Sequence, residues 1–250
     1  MRALLCVVLL GSGCDPGHVG AEAPPLTVFS AASLTSTVEQ TAKLEGMIVQ
    51  LNSGGSNALV RQVQMGAHAD LLLLADAELA QSELQPKGYR LLPLASNELV
   101  LVAPTSSSTA PGEFHALLAA AKELAVADPK TAPLGGYTEE ALQGLSLKAR
   151  LLPLQDAQAV LSSVALGHAA LGVVYRSDAR NEKGVKIVAA IPPDRHRPVL
   201  YVAALPKENR PEASRLVDSL VKGKGRELLD QRGFLPPVVP KEKEAAPIAQ

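Results

Sequence analysis

Short apolar runs and longer stretches of helical spacing take turns along this chain from Leu26 to Gln231, and that alternation limits the fold more than any other feature. Apolar runs predict strands at residues 26–29, 48–51, 71–74, 99–103, 124–127, 151–154, 171–174, 186–190 and 200–204. Helical spacing predicts helices at 34–44, 58–65, 77–85, 113–121, 139–143, 157–166 and 211–223, with a last one near 224–231. Strand and helix in alternation define an α/β fold with mixed, mainly parallel sheets flanked by helices, whose ligand crevices open at the strand C-termini.

The two ends read differently. Met1-Arg2, an apolar core over residues 3–10 and Gly11-Ser12-Gly13-Cys14 are too short to cross a bilayer and have the layout of an export signal. The pattern resembles a bacterial lipoprotein signal, which would make Cys14 a lipidated first residue, although Leu10 lies four positions before Cys14 where such signals place an aliphatic residue three before. Both cysteines, Cys6 and Cys14, fall in this leader, so the folded part has neither a disulfide nor a Cys metal ligand. Residues 15–25 read as a Gly/Pro/Ala tether, and the tail over 237–250 as disordered.

About 210 residues remain between them, enough for one large domain or two lobes at roughly 100–200 residues per domain. The 24 Lys plus Arg and 25 Asp plus Glu are interspersed without a basic block, which excludes nucleic acid as the expected partner. With no tryptophan and 3% aromatic residues, the chain lacks material for stacking sugars or bases.

Small polar loops carry the chemistry. Val28-Phe29-Ser30-Ala31-Ala32-Ser33 runs from an apolar strand into a helix start, where a hydroxyl and free backbone N–H groups make an anion site. Asn52-Ser53-Gly54-Gly55-Ser56-Asn57 repeats the arrangement. Both serines can equally be plain caps or turn residues, and Ser36 with Glu39 satisfies a capping box that would start the helix at Ser36 and leave Ser33 free. Residues 127–140 hold Pro133, Leu134, Gly135 and Gly136 between a strand and a helix, so N–H groups near Leu134 are available, or the loop is simple βα punctuation. Tyr175 follows a buried-type strand, a place where tyrosine is more often packing than contact.

In order and spacing these stretches resemble the periplasmic molybdate-binding proteins of ABC importers, members of the two-lobed type II binding-protein fold. Residues 28–35 carry the resemblance, with Leu59-Val60-Arg61-Gln62, Gly66-Ala67-His68-Ala69-Asp70-Leu71, Ala75-Asp76, Asp128-Pro129, Gly136-Tyr137, residues 171–179, Gly184-Val185-Lys186 and Arg232-Gly233-Phe234. It covers residue 26 to about residue 236. The resemblance implies an oxyanion held between the lobes by hydroxyls of Ser33, Ser56 and Tyr175 and by backbone amides at Leu134 and Ala157, with no cofactor and no metal cation. It implies a first lobe of residues 26–100 and 193–236, a second of 101–192, a monomer in the periplasm or cell envelope, and an inner-membrane permease as partner. His68 stands where the family often has proline and reads as solvated.

A donor-only site suits molybdate or tungstate, which carry no proton at neutral pH, and disfavours phosphate, which then needs an acceptor. Sulfate passes the same charge test, so a receptor for sulfate or another small anion is the alternative, as is an anion-sensing domain without transport. An enzyme is not expected: G-x-S-x-G, P-loop and H-E-x-x-H motifs are missing, and His18, His68, His115, His168 and His196 have no ligand spacing.

Overall fold

The computed structural model describes residues 24–238; the expected leader with Cys14, most of the tether and most of the tail lie outside the described residues. In chain order the elements are β1 (Leu26–Ala31), α1 (Thr35–Leu44), β2 (Val49–Gly54), α2 (Ser56–Gln64), β3 (Leu71–Leu74), α3 (Ala77–Glu83), β4 (Arg90–Asn97) and β5 (Leu99–Pro104). There follow α4 (Phe114–Ala120), β6 (Glu123–Ala127), α5 (Pro133–Leu142), β7 (Arg150–Leu154), α6 (Ala157–Ala165), β8 (Gly172–Tyr175) and α7 (Arg176–Asn181). The chain closes with β9 (Val185–Ala190), β10 (Val199–Leu205), α8 (Pro211–Lys222) and α9 (Lys224–Gln231).

Two five-stranded sheets result, one in the order β2-β1-β3-β10-β4 and the other β7-β6-β8-β5-β9. The run of four leucines in β3 is buried on both faces, as a sheet interior covered by helices on each side requires. One face of the first sheet packs Val28, Leu71 and Leu73 against Val38, Leu216 and Val217 from the helices α1 and α8. Phe29, Leu72 and Leu74 on the opposite face pack against Leu59, Val60 and Ala80 from α2 and α3.

The sheets are mixed, and in each of them four strands run in one direction and one is reversed. In the first, β2-β1-β3 are parallel while β10 is antiparallel to both β3 and β4. In the second, β7-β6-β8 are parallel while β5 is antiparallel to both β8 and β9. The antiparallel members are the strands at which the chain passes between sheets, from β4 to β5 across Glu98 and from β9 back to β10, so they enter their sheet reversed.

Four local readings need correction. β4 was not anticipated because Pro93 interrupts Leu91, Leu92 and Leu94; a proline is accommodated there because β4 is an edge strand whose outer side needs no N–H donor. Helix α7, only Arg176–Asn181 and mostly polar, is too short to show a helical period. Helix α5 starts at Pro133 rather than at residue 139, with proline in the first turn and the two glycines inside. Gly135 is obligatory there, since a Cβ would stand 2.3 Å from the Pro129 nitrogen and 2.6 Å from the Ala127 oxygen. The Ser36 capping box does not form: α1 is entered through a 3-10 turn at Ala32–Leu34, Leu34 is its N-cap, and the Ser36 hydroxyl accepts from Arg232.

Candidate oxyanion site between the lobes

The parallel strands of both sheets deliver their C-termini to one place. Ser33 follows β1, Ser56 follows β2, Ala75 follows β3, the 128–132 loop follows β6, Asp156 follows β7, and Tyr175 ends β8. Ser33, Ser56, Leu134, Ala157 and Tyr175 all line one hollow there, with Gly54, Gly55, Ala75, Ala132 and Asp156 among its other walls. It is tight, with about 10 Å³ open to the centre of a water molecule, roughly the room of one water. A four-oxygen anion therefore needs a slight outward give of the lobes or side chains.

The polar groups in this hollow are mainly donors. Ser56 is fully buried, and its Oγ accepts from the Ala75 N–H at 2.9 Å, which leaves its own hydrogen to point elsewhere. Ser33 Oγ lies 3.0 Å from the Tyr201 hydroxyl. The buried Tyr175 hydroxyl has no hydrogen-bond partner, an arrangement that wastes a polar group unless a ligand meets it. Burial, with Tyr201 nearby, pushes its pKa well above the ordinary phenol value, so it keeps its proton. Leu134 is the second residue of α5 and Ala157 the first of α6, so neither N–H has an acceptor within its helix. The starts of α2, α5 and α6 together turn positive dipole ends towards the hollow.

Among the lining residues there is no Lys or Arg, and the single carboxylate, Asp156, is engaged as N-cap of α6 through the Ala159 N–H at 2.9 Å. A second carboxyl, Asp178, is buried three residues beyond Tyr175 with Oδ2 unpartnered; burial and then the Asp156 charge raise its pKa to about 7. Among the described residues, no group of three His, Cys, Asp or Glu side chains could hold a metal ion. No helix among them is long and apolar enough to cross a membrane. His68 is exposed and 3.2 Å from Asp70, away from the hollow.

The lobes meet directly around this site. Asn57 Nδ2 donates to the Pro129 carbonyl at 2.8 Å and the Ala58 N–H to the Thr131 carbonyl at 3.3 Å. Tyr137 OH donates to the Ala75 carbonyl at 3.2 Å. Arg197, in the segment that returns to the first sheet just before β10, bonds Asp76 at 2.8 Å, lies 3.3 Å from Glu78, pairs with Glu140, and stacks 4.4 Å over the Tyr137 ring. Asp76 and Glu78 sit beside β3 while Glu140 and Tyr137 are on α5, so one cation ties the lobes together. Nothing in the sequence marks Arg197, Asn97, Tyr137 and Tyr201 as site-forming, because no local motif reveals a side chain whose partners are 57 to 168 residues away. A larger hollow of about 990 Å³ lies against α5 and β7, walled by Leu142, Leu147 and Leu151. It has no comparable convergence of donors, and its Arg197 is already held by three carboxylates.

Two α/β lobes closing over a pocket of donors at their strand C-termini define a two-lobed solute-binding protein. The chain belongs to the bacterial extracellular solute-binding protein family, which matches residues 26–235. It is 35% identical to the molybdate-binding protein ModA of Escherichia coli (strain K12) over 236 residues, 87% of this chain and 91% of that one. Its fold is that of the Azotobacter vinelandii periplasmic molybdate-binding protein, with TM-score 0.73 and 23% identity, covering 85% of this chain and 100% of the other. It also shares its fold with the sulfate-binding protein SubI of Mycobacterium tuberculosis H37Rv, with TM-score 0.67 and 16% identity over 86% of this chain and 88% of that one.

Proposed function

We propose that this chain is the extracytoplasmic receptor of a molybdate and tungstate ABC importer. The tetrahedral dianion is held by the hydroxyls of Ser33, Ser56 and Tyr175 and by the N–H groups of Leu134 and Ala157. The observation that carries this reading is the convergence of those donors from both lobes on one hollow without a cation. Helix N-termini then supply the positive potential, and an ion without protons satisfies every donor. The 35% identity to a molybdate-binding protein over most of both chains supports the choice of ion. Residues 26–100 with 193–236 form one closing lobe and residues 101–192 the other; the loaded form is what an inner-membrane permease recognises. Cys14 anchors the monomer to the membrane by lipid, in the periplasm or cell envelope.

Sulfate is the second reading, favoured by the equal charge and the shared fold of a sulfate-binding protein. Isothermal titration of wild-type protein with molybdate, tungstate, sulfate and phosphate separates them. The molybdate reading expects one-to-one binding of the first two, with sulfate weaker by a factor of at least about 100, equivalent to roughly 2.7 kcal/mol. Preferential sulfate binding would make this a sulfate receptor, and silence towards all four would dismiss the oxyanion assignment.

A further inference from the structure

The hydrogen bonds behind Ser33 run in one direction. Asn97, the last residue of β4, has its amide orientation set by the protein backbone: Oδ1 accepts from the Glu98 N–H at 3.0 Å and from the Ser177 N–H at 3.4 Å. An amide so placed can only donate through Nδ2. It does so to the Ser177 hydroxyl at 2.7 Å and to the Tyr201 hydroxyl oxygen at 3.3 Å.

Tyr201, fully buried in β10, therefore receives a hydrogen bond from Asn97 and turns its own proton to its other neighbour, Ser33 Oγ, at 3.0 Å. Burial, with Asp178 close by, keeps that phenol protonated far above the usual range. Ser33 Oγ then accepts from Tyr201, and its own hydrogen faces the hollow. Ser56 arrives at the same state by a shorter route, since its oxygen is taken by the Ala75 N–H. Tyr175, whose hydroxyl has no partner, is the one member of the three that can turn either way.

We infer that Tyr201, with Asn97 behind it, is a specificity-determining positioning residue that fixes the Ser33 hydroxyl as a donor and so biases the site against oxyanions that carry a proton. The inference rests on the oxyanion reading above and deepens it. A deprotonated oxyanion offers acceptors in every direction. Hydrogen phosphate carries one O–H, which needs an acceptor, and a serine with one of its two lone pairs already filled and its hydrogen turned to the hollow presents that hydrogen to the ion in preference to its remaining lone pair. Because Asn97 also bonds Ser177 at the start of α7, the polarity of the chain is set where the lobes join.

Tyr201→Phe keeps the ring, which packs edge-on at 5.8 Å from Tyr175 and 5.2 Å from Phe234, and removes only the hydroxyl. In titrations with molybdate and with inorganic phosphate at pH 7, the variant should bind molybdate about tenfold more weakly, as expected for a strong hydrogen bond left without its orienting partner. Its phosphate binding should hold or rise, so that the molybdate-to-phosphate ratio falls at least about tenfold. In a Ser33→Ala background the same change should have no further effect on the ratio, since Tyr201 acts through Ser33. Asn97→Ala leaves the tyrosine in place, removes the group that dictates its polarity, and should lower the ratio in the same direction; thermal unfolding checks that each variant is folded. An equal loss for both anions, an unchanged ratio, or full additivity with Ser33→Ala would overturn the inference. Wild-type protein that binds neither anion would overturn the reading beneath it, and that outcome is visible before any variant is made.

Discussion

Ser33→Ala combined with Ser56→Ala is expected to weaken oxyanion binding by a factor of about 100 to 10,000, because a hydrogen bond to a charged group contributes roughly 1.5–3 kcal/mol and two are lost. The lower end is the better expectation, since both hydroxyls meet the same ion and their contributions are coupled. Each change also has a structural side. Ser56→Ala strands the Ala75 N–H in a fully buried position, and Ser33→Ala deprives the Tyr201 hydroxyl of its acceptor. Some loss of thermal stability in the free protein should therefore accompany the loss of affinity, on the order of 1–3 kcal/mol for each unsatisfied group. Affinity unchanged in a folded double variant would reduce both serines to the turn and cap roles that serine commonly fills.

Gly55→Ala is expected to abolish tight binding by holding the lobes apart, with a loss of at least about 100-fold in affinity, or roughly 2.7 kcal/mol. At φ −69° and ψ 138° the backbone of Gly55 suits any residue, so its own lobe loses little. The added Cβ, however, would stand 2.2 Å from the Thr131 carbonyl oxygen and 3.0 Å from the Ala132 Cβ, both across the cleft. Adjacent interlobe contacts, the Ala58 N–H on Thr131 and Asn57 on Pro129, would be stretched with it. Small-angle scattering should then show no ligand-induced compaction, while the unfolding temperature of the free protein stays near that of wild type. Gly135→Ala is the contrast: its clash is with Pro129 and Ala127 in the same lobe, so it should destabilise the fold itself. Wild-type affinity in Gly55→Ala would mean that the loaded lobes do not approach as closely at this point as the structure has them.

Much of the architecture is legible in the sequence because burial leaves a local trace. The unbroken Leu71–Leu74 run marks an interior strand, and small residues directly after β1 and β2 mark helix starts that line the hollow between the lobes. The five residues assigned to the oxyanion by resemblance all line one hollow. What is lost locally is anything decided by a distant partner. Pro93 hides β4 because whether a proline is tolerated depends on strand order, and the Ser36–Glu39 spacing signals a cap that a preceding 3-10 turn makes unnecessary. Likewise Tyr201 reads as one more apolar residue of β10, and Arg197 as one more surface charge, until folding brings Ser33 to the first and three carboxylates to the second.

Whether donors from both lobes surround a single tetrahedral oxyanion is decided by a crystal structure of the protein grown with molybdate, with the metal located by its anomalous scattering. The expected result is one molybdenum peak between the lobes, with the ion's oxygens about 2.7–3.2 Å from the hydroxyls of Ser33, Ser56 and Tyr175 and from the nitrogens of Leu134 and Ala157. A peak elsewhere, or an ion held by a lysine or arginine side chain, would contradict it.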